Sequence, residues 1–191
     1  MPETPAPGLA PREIFIQAGL ALMNKAGPDG LSLNAILREA NKPRGSFYAA
    51  FSGKEAWLAA LIQRYFQPPT QALARFADAA GRDTFSAWAS WNAQRLRHAI
   101  HRGDRVVSLT EMAGRCGQSS LAAATCEALF DERTRAMSKI VTAAFLVTGP
   151  QAGTQARLVL AMLDGVESRA SAARTPELVD QFYQFLFKHH S

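Results

Sequence analysis

The sequence predicts an all-α protein, with a three-helix helix-turn-helix unit at the N-terminus and a larger helical domain behind it. Three observations carry this. Apolar residues recur three and four positions apart through most of the chain, no run shows sustained strand alternation, and helix-start signals recur at Pro11, Ser32, Pro43, Ser52 and Thr175–Pro176. With 48% hydrophobic and 19% charged residues, the 191-residue chain can bury a sizeable core.

Residues 1–10 are proline-rich and read as a disordered arm. Pro11 then opens a helix over 12–25, with Ile14, Ala18, Ala21 and Leu22 on one face. The AGPDG run stops it. Ser32 has the position of an N-cap for a short second helix, and Leu31 and Ile36 have the spacing of a hydrophobic staple. Asn41 and Lys42 end that helix. Pro43 favours a fresh start, so 44–50 is a third helix anchored inward by Phe47 and Phe51. Ser52 to Glu55 has the S-x-x-E form of a capping box for the next helix, which carries Trp57, Leu58, Leu61, Ile62 and Phe66. Pro68 and Pro69 are expected to interrupt or kink it. Further helical segments are 84–101, 105–113, 119–147 (one helix or two), 152–171 and 176–189.

The formal charge of +5 permits a nucleic acid or membrane partner without demanding one. Basic against acidic residues number 6 and 5 over 1–60, 8 and 4 over 61–115, and 7 and 7 over 116–191, so any nucleic-acid surface is local. No signal-like start and no apolar run long enough to span a bilayer is visible, so a cytoplasmic protein is expected. Cys116 and Cys126 form no CxxC pair and read as buried thiols. His98 and His101 lack a third ligand, so neither a metal nor a cofactor is expected. Nor is there a nucleophile–base motif, a phosphate-binding glycine loop or an H-E-x-x-H helix, and an enzyme is not expected.

Two short helices joined by a tight turn and braced by flanking helices fit the major groove of B-DNA. The candidate DNA-binding residues are Lys42, Pro43, Arg44, Gly45, Ser46, Tyr48 and Lys54. Arg44 can fork onto guanine or phosphate, Gly45 allows close approach, and Ser46 and Tyr48 can donate hydrogen bonds. Lys54 opposes the dipole of its own helix, which makes sense if a phosphate shares that helix end.

The stretches AGPDGLSLNAILREAN, RGSFYAAF and SGKEAWL make residues 12–62 resemble the N-terminal domain of the TetR (tetracycline-repressor-like) family of transcriptional regulators. Two positions depart from the family: Asn41 stands where a turn glycine is usual, and Pro43 replaces the usual Ser/Thr cap. The resemblance implies a DNA-binding domain at 11–60 and a helical effector-binding and dimerisation domain at 61–191. It implies a ligand-responsive regulator, most simply a repressor released from a double-stranded operator by an unidentified small effector, and acting as a homodimer. The alternative is a dimeric ligand-binding or interaction protein that no longer reads DNA.

Candidate effector contacts are Trp88, Trp91, Asn92, Met112, Arg133 and Met137, with His98, Glu111 and Phe145 as outer candidates. Segment 84–101 carries two tryptophans, which either fill core or line the pocket; if it lines the pocket and leads back toward the domain that holds Trp57, it is placed to transmit a change of spacing. The last two helices carry wider apolar arcs than a single core face requires. Leu158, Met162, Val166, Leu178, Phe182 and Phe185 are therefore the expected dimer interface, with Ala161 and Gly165 permitting close approach.

Overall fold

The computed structural model describes residues 10–117, 120–173, 175 and 177–188, with side chains described as far as 184. Among the described residues nine α-helices follow in order: α1 (Pro11–Ala26), α2 (Leu33–Glu39), α3 (Arg44–Ala50), α4 (Lys54–Asp78), α5 (Thr84–His101), α6 (Leu109–Ala113), α7 (Leu121–Phe145), α8 (Pro150–Ala173) and α9 (Glu177–Lys188). No strand occurs among the described residues. The expected helical register is met closely at α3 and α5. Within 119–147 the described residues form a single helix, α7, and 105–108 is not helical, so only the second half of segment 105–113 becomes α6. Pro176 and the side chain of Phe185 lie outside the described residues.

Two apolar clusters form the interior. One lies beneath the first three helices: Phe15, Ile36, Phe47, Phe51, Trp57, Leu61 and Ile62 are buried together with Leu109, Met112, Cys126 and Leu129. The other gathers Phe85, Trp88, Leu96, Met137, Ile140, Leu163, Val179 and Tyr183 from α5, α7, α8 and α9. Each fully buried Leu, Ile or Phe contributes about 1.5–3 kcal/mol relative to exposure. The expected division at residue 60 falls within α4, and the first cluster continues into α6 and the first half of α7.

Helix α4 runs unbroken through Pro68 and Pro69, which overturns the expected interruption. The two prolines remove the amides that the carbonyls of Arg64 and Tyr65 would accept from. Pro68 is exposed and Pro69 half-buried, so the defect faces outward while Phe66, Thr70, Ala72 and Leu73 keep the inner face packed. Helices α4 and α7 run parallel: Gln63 and Gln67 share a groove with Leu121 and Thr125 at one end, and Lys139 reaches Asp78 at 3.3 Å at the other. Helix α8 runs back antiparallel to α7, with Asp164 opposite Arg133, and with Ala152 and Gly153 beside Thr142 and Ala143.

Candidate nucleic-acid interface and interior polar site

The turn between α2 and α3 is built by backbone chemistry. Ser32 caps α2, its hydroxyl accepting from the Ala35 amide at 3.1 Å. At the other end Asn41 adopts φ 48°, its amide donates to the Arg38 carbonyl at 3.1 Å, and the Lys42 amide donates to the Leu37 carbonyl at 3.2 Å. These two bonds close a Schellman motif in which asparagine occupies the left-handed position usually given to glycine. Pro43 then stands in extended backbone as the N-cap of α3 and supplies no side-chain cap.

Helix α3 divides sharply. Phe47 is fully buried and meets Phe15 edge-on at 5.3 Å between ring centres. Arg44, Gly45, Tyr48 and Ala49 face outward, and Ser46 is half-buried. Tyr48 leaves 51% of its surface exposed while its ring rests edge-on against Phe47, which holds the phenol outward. The Arg44 guanidinium lies 5.9 Å from the Tyr48 ring centre. A Cβ on Gly45 would meet no atom within 4 Å, so this position is open to a surface brought against it. Ala49 shares this outer face, which the helical spacing from Gly45 could have revealed.

The expected capping box at Ser52 is not formed. The N-cap of α4 is Gly53, one residue later than the motif requires, and no side chain caps it. The first-turn amides of α4 therefore have no side-chain acceptor, and the exposed Lys54 sits beside them. Among the described residues Lys42, Arg44 and Lys54 make no ion pair, and neither do Arg12, Lys25 and Arg38 of α1 and α2. Three uncommitted cations thus surround an exposed helix face, the arrangement that neutralises a phosphate backbone.

The effector candidates separate in space. Trp88 and Met137 are buried in the second cluster, Trp91 packs on Phe76 at its edge, and Met112 belongs to the first cluster. Glu111 is paired with Arg105 at 2.5 Å, His98 is exposed, and Phe145 packs on Phe85. Asn92 is saturated. Its amide donates to Glu167 at 3.3 Å and to the Tyr183 hydroxyl at 2.9 Å, and its carbonyl accepts from Arg95 at 3.0 Å. Arg95 also meets Glu167 at 2.8 Å. Burial raises the Tyr183 hydroxyl well above its usual pKa, so it stays a neutral donor and acceptor.

A second polar group was not anticipated. Asp164, Glu167, Ser168 and Ser171 follow the i, i+3, i+4, i+7 spacing of one helical face on α8, and all are buried or half-buried. The signal was present, but the apolar residues interleaved with it pointed to an interface. Asp164 Oδ2 accepts from the Thr110 amide at 3.3 Å and the Thr110 hydroxyl at 2.5 Å. Ser168 meets Ser108, and Ser171 accepts from the Val106 amide. Arg133 approaches Asp164 Oδ1 at 3.6 Å, and that oxygen, fully buried, has no hydrogen bond.

The segment 105–111 reaches from this face to the helix-turn-helix. The Arg105 amide donates to the Asn24 carbonyl at 2.6 Å, and its guanidinium meets both Glu111 and the Ala26 carbonyl. Arg115 pairs with Asp29 at 2.6 Å. Contacts to the helix-turn-helix are thus made by α6 and the segment before it, while α5 packs on α7, α8, α9 and the far part of α4, and its end, at Ile100, shares a groove with Lys25 of α1.

On α8 the outer face shows Leu158 at 58% exposure and Met162 at 39%, with Ala161 and Gly165 also exposed. Val166, Leu178 and Phe182 are half-buried against the second cluster. Cys116 and Cys126 lie within thiol hydrogen-bonding reach of each other; burial raises both, Cys126 to about 12.

Residues 15–61 match the family model described as bacterial regulatory proteins, tetR family. The whole fold is similar to a TetR-family transcriptional regulator from Agrobacterium tumefaciens, with 13% identity, coverage of 95% of this chain and 97% of that one, and a TM-score of 0.78. It is similar to the regulatory protein TetR from Rhodobacter sphaeroides at 19% identity, 94% and 98% coverage, and a TM-score of 0.69. It is also similar to SmeT in its complex with triclosan, at 22% identity, 90% and 84% coverage, and a TM-score of 0.60. No curated protein matches the chain.

Proposed function

We propose that this chain, a TetR-family protein by its helix-turn-helix domain, is a homodimeric, effector-responsive repressor that binds a double-stranded DNA operator in the cytoplasm and is not an enzyme. The observation that carries the reading is the outward face of α3: Arg44, Gly45 and Tyr48 exposed over a fully buried Phe47, with Lys42 and Lys54 unpaired on either side. Arg44 reads a base edge. Lys42, Tyr48 and Lys54 hold phosphates, and the uncapped amides of α4 share one of them. No described helix is long and apolar enough to cross a membrane.

The dimer forms through α8 and α9. Leu158, Ala161, Met162 and Gly165 offer an apolar face with small residues at its centre, which supports close helix packing between two copies. Two copies of α3 then enter successive major grooves about 34 Å apart. An effector held in the second domain acts by favouring a different spacing, and it releases DNA only to the extent that it prefers that state. Thr110 is bonded to Asp164, and Glu111 to Arg105, which grips the end of α1; this chain of contacts supports communication between the two domains. The similar SmeT structure with triclosan supports a small-molecule effector in this architecture.

The test is selection of bound duplex from a random pool, followed by titration of the selected site at several salt concentrations. The expected result is one two-fold-symmetric site whose affinity falls steeply with salt. Failure to enrich any sequence overturns the reading.

A further inference from the structure

We propose that Arg12, the second residue of α1, holds a backbone phosphate of duplex DNA, so that α1 contacts the operator beside α3 and the start of α4. This rests on the DNA-binding reading above and adds a further helix to the contact surface.

Arg12 is exposed and makes no ion pair among the described residues. The carboxylate beside it in sequence is engaged elsewhere: Glu13 accepts from Gln17 at 2.7 Å and from Arg64 at 2.9 Å. The Arg12 guanidinium instead lies 4.4 Å from the centre of the Phe51 ring and donates to the Ala50 carbonyl at 3.5 Å. Ala50 is the last residue of α3, and Phe51 is its C-cap, buried against Phe47 at 5.7 Å between ring centres. The ring is therefore fixed, and the arginine stacked on it is held at the end of α3. Stacking occupies the flat face of the guanidinium and leaves N–H donors at its edge for phosphate oxygens.

Position and local energetics point the same way. The seven residues of α3 span about 10 Å, close to the roughly 12 Å width of the major groove. Lys42 and Arg44 stand at its start, and Arg12 and Lys54 stand beyond its end; Arg12 lines one groove with Ala56, two residues past Lys54. Positive charge at both ends of α3 meets phosphates on both walls of the groove. The first turn of a helix carries partial positive charge, so a cation is disfavoured there. Lys25 and Arg38, the other unpaired cations of α1 and α2, stand in last turns, where the helix dipole favours them. Arg12 and Lys54 stand in first turns, against the dipole. A phosphate brought against both offsets that cost.

The experiment measures binding of the full-length protein, Arg12→Gln and Arg12→Lys to the selected duplex and to a scrambled one, between about 50 and 200 mM salt. Glutamine removes the charge but keeps a donor for the Ala50 carbonyl, and thermal unfolding checks that the fold is retained. The expected result is that Arg12→Gln lowers the salt slope by about 0.9 per subunit, so that its deficit against the parent is about 3.5-fold larger per subunit at the low-salt end than at the high-salt end. The loss falls equally on both duplexes, and Arg12→Lys restores the slope. An unchanged slope overturns the proposal, even with uniformly weaker binding, which would make Arg12 a brace between α1 and α3. A loss confined to one base pair of the selected site also overturns it. A parent that binds both duplexes alike counts against the repressor reading, and the slope comparison then decides the role of Arg12 on either duplex. A parent that binds neither duplex overturns both.

Discussion

The indole nitrogen of Trp57 donates to the backbone carbonyl of Phe15 at 3.0 Å, and both side chains are completely buried. This bond ties the start of α4 to α1 beneath α3. It depends on Gly19, where an added Cβ would stand 2.7 Å from Trp57 Cζ2 and 2.9 Å from Leu61 Cδ1. Gly19→Ala is expected to destabilise the protein by about 1–3 kcal/mol through overpacking and to lower operator affinity by displacing α4 from α1. Urea unfolding followed by tryptophan emission measures the first effect. An unchanged midpoint would show that the two helices separate freely.

Arg44 and Lys54 should fail differently. Arg44→Ala is expected to cost about 1–3 kcal/mol at the selected site and to relax preference at one base pair. Lys54→Ala is expected to weaken all duplexes alike and to reduce the salt slope by about one phosphate. Salt titrations on matched and mismatched duplexes distinguish the two, and identical behaviour would refute the assigned roles.

Because Leu158 and Met162 are exposed on the single chain, Leu158→Asp and Met162→Asp leave its fold intact. In a dimer each would bury a carboxylate without a partner, a penalty of several kcal/mol. Analytical ultracentrifugation at micromolar concentration should show the double variant as monomer and the parent as dimer. A parent that sediments as monomer removes the dimer from the mechanism.

Arg105 connects Glu111 with the end of α1. For a compound that releases operator from the parent protein, a coupling of about 1–3 kcal/mol is typical, equivalent to about 5–150-fold in affinity. Arg105→Ala is expected to bring that factor close to one while leaving each ligand able to bind alone. The check is operator affinity with and without saturating compound. An unaltered factor would move the connection to another element.

Burial raises the Cys126 thiol from its usual 9.0 to about 12. A folded-state pKa above the unfolded one means that the folded state holds the proton more tightly. This contribution to stability is complete below pH 9 and is lost as pH rises toward 12. Cys126→Ala should therefore lose stability less steeply than the parent between pH 9 and 11 in urea titrations. Parallel slopes would show that the thiol does not titrate differently on folding.

Much of the helix-turn-helix half was legible in the sequence because its devices are local. Ser32 as a cap, Asn41 in a left-handed turn, and Phe47 with Phe51 as inward anchors each follow from a few neighbouring residues. The capping box failed for an equally local reason: Gly53 takes the cap position, which moves Ser52 out of frame. The continuity of α4 was not legible, because what decides it is the outward direction of Pro68 and the packing of Phe66 and Leu73 against distant helices. The buried ion pair of Asp164 and Arg133 was hidden for a related reason. Arg133 drew notice alone, but its partner lies 31 positions away among residues that look apolar.

The unbroken α4 makes a mechanical element of what first looked like two segments. Its 25 residues span about 37 Å at 1.5 Å per residue. One end is clamped by Trp57 to α1, and the other, at Ala77, is set in the second cluster. The ladder is weakest just past its midpoint, where two consecutive prolines withhold their amides. A rod fixed at both ends and softest near its middle behaves as a beam with a fulcrum. A tilt of about 5° about that point displaces the Lys54 end by roughly 2 Å, over the arm of about 21 Å between Pro68 and Lys54. In the proposed dimer that movement, repeated in both subunits, would alter the separation of the two α3 helices by more than a hydrogen bond to a base edge can tolerate.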